Sequence, residues 1–503
     1  NGLIEKGREN LLLQSNQFNT NWVTGGINET SGQNGYDGSS DAWLIESTLD
    51  YRSMSQTISL GNGVYTFSAY LKNVNTSTIG LNVIGSSSSI ININLSNGTI
   101  TSQSGSAIIA NRVIDLGNDW YRVSITINQS ITSVRFVFNE TSGKSYYIQD
   151  AQLEQSLVAT EYIESGASTG LAGILEDSPR FDYSGGASCP SLLLEPSRTQ
   201  LLPYSEYFEG SGWQIQPNTT TAELTQETLS PEGLYNAYKF KGNGSSGFYK
   251  ASAGTYGGEN TKSIYLKAAV NGTQVVLKDP NQTVTSKTLT LTTDWVRYEL
   301  TETQTTSFGI WIDDIPSDPI YAWGAQVEEG SYPTSYIPNH SGGSSVTREL
   351  DHCFTSSNSV LEEISATYFL EVTPIQITSN NLLEVRANGS TDNRILLQTN
   401  SSGTLRVLVR AQGSSVLDQN IGSAVSSNTK VKIALKYTDQ TNISVFVDGV
   451  KEIDSDLVID FSPELNGLDL EGSATANNDS LKQHQFIFFP TALSDADCVT
   501  LTS

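Results

Sequence analysis

Three histidines, three cysteines and a scatter of paired carboxylates are the side chains through which this 503-residue chain could do chemistry. His352 sits in Asp351-His352-Cys353, a juxtaposition that suggests a nucleophile beside its base. Neighbours in an extended chain point to opposite sides, so this thiol and imidazole cannot pair with each other, and linker surface is the better assignment. The sequence contains no HExxH, P-loop or EF-hand pattern. Gly242-Asn243-Gly244-Ser245-Ser246-Gly247 matches GxGxxG. A dinucleotide fingerprint must open a helix, whereas the strand-like Phe248-Tyr249-Lys250 follows here, which points to a glycine-rich turn. The pairs Asp313-Asp314, Glu328-Glu329 and Glu362-Glu363 could do acid–base work only with a partner converging across a cleft; otherwise they belong on a solvated face. Asp313, Asp314 and Asp318 form an oxygen-rich loop that could help bind a structural calcium, and no other cofactor is expected.

Sugar binding asks less of a sequence, because an exposed ring can stack on a sugar while amides or carboxylates bond its hydroxyls. Trp22 with Trp213, Trp120 with Trp295, and Trp43 with Tyr238 occupy matched positions in a repeat, which assigns them to core packing. Trp311 and Trp323 do not recur. Aligning Phe308 to Gln326 with Val134 to Gln152 sets Trp311 opposite Val137 and Trp323 opposite Gln149. Ile310 and Ile312 take the core face, so Trp311 points to the other, as sugar platform, inter-unit packing or subunit contact. Trp311 and Trp323 are the candidate carbohydrate-binding residues.

The elements that must position these groups are duplicated. AQLEQSLVATEYI (Ala151 to Ile163) returns as AQVEEGSYPTSYI (Ala325 to Ile337). Working backwards, DLGNDWYRVSITI corresponds to LTTDWVRYELTET, GVYTFSAYLK to TKSIYLKA, DAWLI to NAYKF, and NLLLQSNQFNTNW to QLLPYSEYFEGSGW. Tyr65, Phe67, Ala69 and Leu71 alternate with polar neighbours, as do Tyr121, Val123, Ile125 and Ile127, the period of half-buried strands. Gly61-Asn62-Gly63 and Ser96-Asn97-Gly98 supply turns. The region after Thr355 shares none of these landmarks, yet Leu405, Val407 and Val409, then Val431, Ile433 and Leu435, alternate in the same way. Asp448-Gly449 marks a hairpin there, and Ser494 is placed to cap one short helix.

The chain is therefore expected to be all-β: two homologous sandwiches over 1–165 and 199–338, connectors over 166–198 and 339–355, and a different jelly roll over 356–503. A chain of this length supports about three domains. Leu192, Leu193 and Leu194 would be costly to leave in water and are expected to dock on a neighbouring unit. The net charge of -25, with no basic stripe, disfavours nucleic acid. No apolar run is long enough to span a membrane. Cys189, Cys353 and Cys498 make no disulfide framework, although Cys189 and Cys353 fall in the two connectors and could be stapled. A chain that opens on Asn1 without a signal peptide is expected to be a processed or partial product.

GRENLLLQSNQF, PRFDYSGGASCPSLLLEPSRTQLLPYS and PTSYIPNHSGGSSVTRELD resemble the phrases of bacteriophage head-fibre, tail-fibre and spike proteins, in which carbohydrate-binding-like sandwiches alternate with such connectors. The C-terminal VFVDGV and FPTALSDAD resemble laminin-G or concanavalin-like jelly rolls. The resemblance implies a non-catalytic protein on the virion surface that adheres to host glycans, beside other virion proteins, as a homo-oligomer, often a trimer. An accessory region of a polysaccharide-degrading enzyme and a ligand-free structural subunit are the alternatives.

Overall fold

The computed structural model describes residues 7–76, 78–174, 178–183, 190–216, 220–251, 258–280, 282–304, 309–377, 379–387, 390–470 and 480–503. Among these the regular structure is almost entirely antiparallel strand, with one α-helix, Asp495–Thr502. The Ser494 hydroxyl accepts the backbone N–H of Asp497 at 3.1 Å, the N-cap bond that its position before the helix leads one to expect.

In the first sandwich a six-stranded sheet runs in the order Ile27–Gln33, Ala42–Ser47, Ser145–Glu154, Val64–Asn73, Trp120–Asn128, Ile108–Asp115. It faces a five-stranded sheet ordered Ser53–Leu60, Ile131–Phe138, Ile79–Gly85, Ser88–Asn94, Thr99–Ser104. The alternation read from the sequence sets which side of each strand is buried. Phe67 and Ala69 enter the core, and the Phe67 ring meets Phe136 from the opposite sheet at 5.0 Å. Burying each such side chain stabilises the fold by about 1.5–3 kcal/mol.

The second sandwich repeats the strand order. Thr221–Leu224, Tyr238–Lys241, Ile320–Glu329, Gly258–Ala268 and Val296–Gln304 form one sheet. Trp213–Ile215, Phe248–Ala251, Gly309–Asp313, Gln274–Asp279 and Gln282–Thr290 form the other. The GxGxxG segment is a turn leading into Phe248–Ala251. A Cβ on Gly247 would lie 1.8 Å from the carbonyl oxygen of Ile312, so the glycine serves close strand approach rather than a phosphate.

Compactness divides the chain into two units: Leu3–Glu176 with Thr199–Thr347, and Asp177–Arg198 with Arg348–Ser503. Both sandwiches lie in the first unit and share a seam, where Val64 and Leu157 of one pack into the core of the other.

The segment over 166–198 is split between the units. Gly170–Ala172 pairs with Arg8–Asn10, whereas Ser191–Leu194 adds a strand beside Leu481–Phe489 in the C-terminal unit. Leu194 is 3% exposed in that unit's core, and Leu192 packs against it. The C-terminal unit has its own seven- and six-stranded sheets. Inside it Arg180 bonds both carboxylate oxygens of Asp351 and meets Glu195 at 2.9 Å, while Arg348 reaches Glu195 at 3.1 Å. A second bond comes from the Glu195 N–H, which donates to Asp351 at 2.8 Å. His352 reaches Asp469 at 2.8 Å and stacks on Phe354, while Cys353 is turned towards the apolar core, so the two do not pair. Cys189 lies outside the described residues, and with it the staple to Cys353.

Candidate functional site

Where each sandwich closes, a hydrogen-bonded knot folds the chain back over the outer face of its sheet. Gln152 donates to Glu154 at 2.7 Å and accepts the Ile163 N–H at 2.7 Å. The Glu154 carboxylate takes the N–H and hydroxyl of Thr160 at 2.9 and 2.8 Å. In the second sandwich Gln326, Glu328, Thr334 and Ile337 make the same four bonds at 2.6, 2.7, 2.9 and 2.7 Å. Asn10 and Gln200 each use one side-chain amide to hold the strand and the returning segment together. Glu328, assigned from sequence to a solvated face, is thus buried and structural.

The knot delivers one tyrosine to the outer face of each sheet. Tyr162 bonds Ser15 through its hydroxyl at 2.6 Å, and Tyr336 bonds Ser205 at 2.7 Å. Arg122 and Arg297 donate to the carbonyls of Thr160 and Thr334 while lying 5.1 and 5.6 Å over the rings of Tyr70 and Tyr265. Up to this point the two copies are alike. They diverge at the two positions the sequence alignment set opposite each other, Gln149 and Trp323.

In the second sandwich Trp323 is fully buried, 5.4 Å from Tyr265 and 4.7 Å from Tyr336, and fills the space beneath the knot. Glu206 and Asn236, bonded at 3.1 Å, complete the plug. In the first sandwich the smaller Gln149 takes that position, and a cavity of about 400 Å³ is lined by Tyr70 and Tyr162, the counterparts of Tyr265 and Tyr336. The Gln149 amide nitrogen bonds Asp41 at 2.7 Å and Asp37 at 3.2 Å, and its oxygen accepts the Tyr36 N–H at 3.0 Å. That holds the 35–41 loop against the sheet, where the Tyr36 ring stacks parallel on Tyr70 at 3.8 Å, with Trp120 edge-on behind. Tyr36, Tyr70 and Tyr162 supply the aromatic wall. Asp37, Asp41, Asp150, Glu161 and Glu164 supply a carboxylate rim, joined by the Asn16 amide.

The electrostatics follow from burial and neighbours. Burial pushes Asp150 up from 3.8 to about 7; the Tyr36 hydroxyl bond at 3.0 Å opposes this, and the charges of Asp41, Asp37 and Glu164 add to it. Asp37 is exposed, and hydrogen bonds from Ser39 and Gln149 outweigh burial to hold it below its usual range. Because the folded chain binds the Asp150 proton more tightly than the unfolded chain, this group's stabilisation is full below about pH 4 and is lost as pH rises through about 7. Asp150 sits at φ 55°, a conformation asparagine tolerates. Asp150→Asn should therefore gain on the wild type as pH rises from 4 to 8, by on the order of 2–3 kcal/mol in urea denaturation. A difference between the two that stays flat across that range would contradict the assignment.

The sequence-derived sites fare differently. Trp323 presents no surface to a sugar, because the duplicated fold uses it as filler. Trp311 does point away from Ile310 and Ile312, but the Lys278 ammonium covers its ring at 3.9 Å from the centroid and Tyr249 flanks it at 5.2 Å. The calcium loop does not converge. Asp313 is bound to Lys278 at 2.6 Å, Asp314 and Asp318 are exposed, and among the described residues no group of three or more His, Cys, Asp or Glu could hold a metal. Trp22, Trp213 and Trp43 are core, as their recurrence implied. Trp120 is buried on the opposite, outer face, and Trp295 is half-exposed there, with its indole N–H on the Leu229 carbonyl at 2.7 Å. Tyr36, Tyr70 and Asp150 escaped the sequence reading, although the alternation that buries Phe67 and Ala69 already places Tyr70 outside.

No family model and no curated protein matches the chain. Among solved structures it is similar to the CBM40 of Ruminococcus gnavus IT-sialidase bound to α2,3 sialyllactose, at 15% identity over 30% of this chain and 97% of that one, with a TM-score of 0.26. It is also similar to the SAP-like pentraxin of Limulus polyphemus, at 11% identity over 28% and 70% with a TM-score of 0.23. The receptor-binding domain of botulinum neurotoxin C/D mosaic serotype gives 10%, 31% and 42%, with a TM-score of 0.23. Likenesses this slight decide nothing about a ligand.

Proposed function

We propose that the chain is a non-catalytic adhesion protein of a bacteriophage surface and that its first sandwich binds a host glycan in the cavity bordered by Tyr36, Tyr70 and Tyr162. The observation that carries this is the difference between the copies: Trp323 packs between Tyr265 and Tyr336 in the second sandwich, whereas Tyr70 and Tyr162 line an open cavity in the first. A cavity of about 400 Å³ with an aromatic wall and convergent amide and carboxylate oxygens suits a sugar ring or two. The virion setting, other virion proteins as partners and a homo-oligomeric, trimeric state rest on the phrases shared with phage fibres. Several weak sites on one fibre would then gain avidity without new contacts.

The rim also selects among sugars. Five carboxylates line the cavity against one cation, Arg122, whose guanidinium also bonds the Thr160 carbonyl. An anionic sugar would be repelled, so the ligand is a neutral or amine-bearing glycan rather than a sialylated or uronic one.

A hydrolase is the rival, because Asp150 near 7 and a lowered Asp37 are carboxylates of split acidity in one cavity. A glycosidase needs its carboxylates on either side of the scissile bond. Here Asp37 and Asp41 converge on a single Gln149 amide, and Asp150 is bonded to Tyr36. Isothermal titration with neutral and sialylated oligosaccharides tests the proposal. Neutral ligands should bind, and Tyr162→Ala should weaken them up to about tenfold, the worth of one aromatic contact. Preference for sialylated ligands would contradict the ligand class, and release of reducing sugar would contradict the non-catalytic role.

A further inference from the structure

The second sandwich carries three charges inside its core. Lys262, Asp279 and Glu302 lie on strands Gly258–Ala268, Gln274–Asp279 and Val296–Gln304. Their core-side neighbours two residues away are Ile264, Leu277 and Leu300. Lys262 has no exposed side-chain surface, and its ammonium lies 3.2 Å from Asp279 and in direct contact with Glu302. Asn260 is 3.4 Å away, and the Gly309 N–H donates to the same Asp279 oxygen at 2.7 Å.

The first sandwich has apolar residues at these places. Thr66 shares a hydroxyl bond with Thr126 at 2.8 Å, and Thr261 with Thr301 at 2.8 Å, which sets Lys262 opposite Phe67 and Glu302 opposite Ile127. Ile79 pairs with Phe138, and Leu277 with Ile312, which sets Asp279 opposite Leu81. Phe67, Leu81 and Ile127 are fully buried. Three charges have thus replaced three hydrocarbons as a set. For stability alone such a buried trio gains little over apolar packing, so its presence calls for a chemical use.

We propose that Lys262 and Asp279 form an intramolecular amide bond, with Glu302 carrying the proton. The Glu302 carboxylate moves one proton from the Lys262 ammonium to the Asp279 carboxylate, and the freed amine attacks Cγ of the resulting carboxylic acid. Negative charge develops on the Asp279 oxygen facing Gly309, whose N–H is already placed to stabilise it. Glu302 then carries a second proton from the attacking nitrogen to the departing hydroxyl, water leaves, and the products are one amide, one water and an unchanged Glu302 carboxylate. Two features of the core favour the reaction. Burial lowers the pKa of the Lys262 ammonium, against the opposing charge of Asp279, which favours the neutral nucleophile. Fixed proximity in a dry interior turns an unfavourable encounter in water into a unimolecular step. Because Asp279 belongs to the sheet opposite Lys262 and Glu302, the bond staples the two sheets of this sandwich together.

Intact mass spectrometry of the denatured, purified full chain, followed by peptide mapping, is the test. The expected result is a mass short by one water in every chain, and a branched peptide joining the segments that contain Lys262 and Asp279. Lys262→Arg and Asp279→Ala should each restore the full mass. An unmodified wild-type chain would overturn the proposal, and so would a water lost without a branched peptide, as from an aspartyl succinimide. Neither result depends on the variants folding.

Discussion

Gln149→Trp should abolish glycan binding by the first sandwich while leaving the fold intact. The second sandwich already shows the outcome of this change: an indole at the matched position is fully buried between Tyr265 and Tyr336. Placed at 149, the ring would meet Tyr70 and Tyr162 and occupy the volume a sugar needs, a steric exclusion worth more than the loss of any single contact. The substitution also removes the amide that ties Tyr36, Asp37 and Asp41 to the sheet, so the loop that bears one of the three wall tyrosines would lose its anchor. The expected loss in affinity is at least about a hundredfold, corresponding to roughly 2.7 kcal/mol. Titration would measure it, with the circular dichroism spectrum unchanged. Undiminished binding would place the glycan elsewhere on the chain.

The second large effect lies in the C-terminal unit. Arg180→Ala should destabilise that unit by about 3–5 kcal/mol, because it leaves Glu195 and Asp351 largely buried with much of their compensating charge removed. The surroundings raise the Arg180 pKa: burial opposes the charge, but the bond to Asp351 and the charge of Glu195 outweigh it. Every tryptophan precedes residue 324, so tryptophan fluorescence is silent to this unit. The variant should shift the unfolding transition seen by circular dichroism and leave the fluorescence midpoint in place. A shift in fluorescence alone would show that this ion network supports something other than the C-terminal core.

How far the sequence foretold this can be traced residue by residue. The echo of Gln-aliphatic-Glu was visible because the knot needs a glutamine, a buried glutamate and a threonine at fixed spacing, and both copies kept them. The inward faces were visible because alternation is a physical requirement of a half-buried strand. Leu192 to Leu194 declared themselves as residues that water would not tolerate, though not which unit they would join.

The site was harder to see. Tyr36 lies in a loop with no periodicity and no matched partner, and Asp150 gains its character from burial, which spacing does not reveal. Trp323 misled for an instructive reason. An unmatched aromatic suggests a binding platform, but here the mismatch marks the copy in which the cavity was filled, and the smaller Gln149 opposite it marks the open one. Lys262, Asp279 and Glu302 were invisible for a similar reason, since charged residues in strands are assigned by default to the solvent face.

The central claim is that the cavity beside Tyr36, Tyr70 and Tyr162 holds a sugar. Crystals of the full chain soaked with a neutral or amine-bearing oligosaccharide test it most directly. The account predicts ligand density against the rings of Tyr36 and Tyr162, with hydroxyls bonded to Asp41 and Asn16. Density over Trp311 or on the C-terminal sheets, or an empty cavity at saturating ligand, would contradict it.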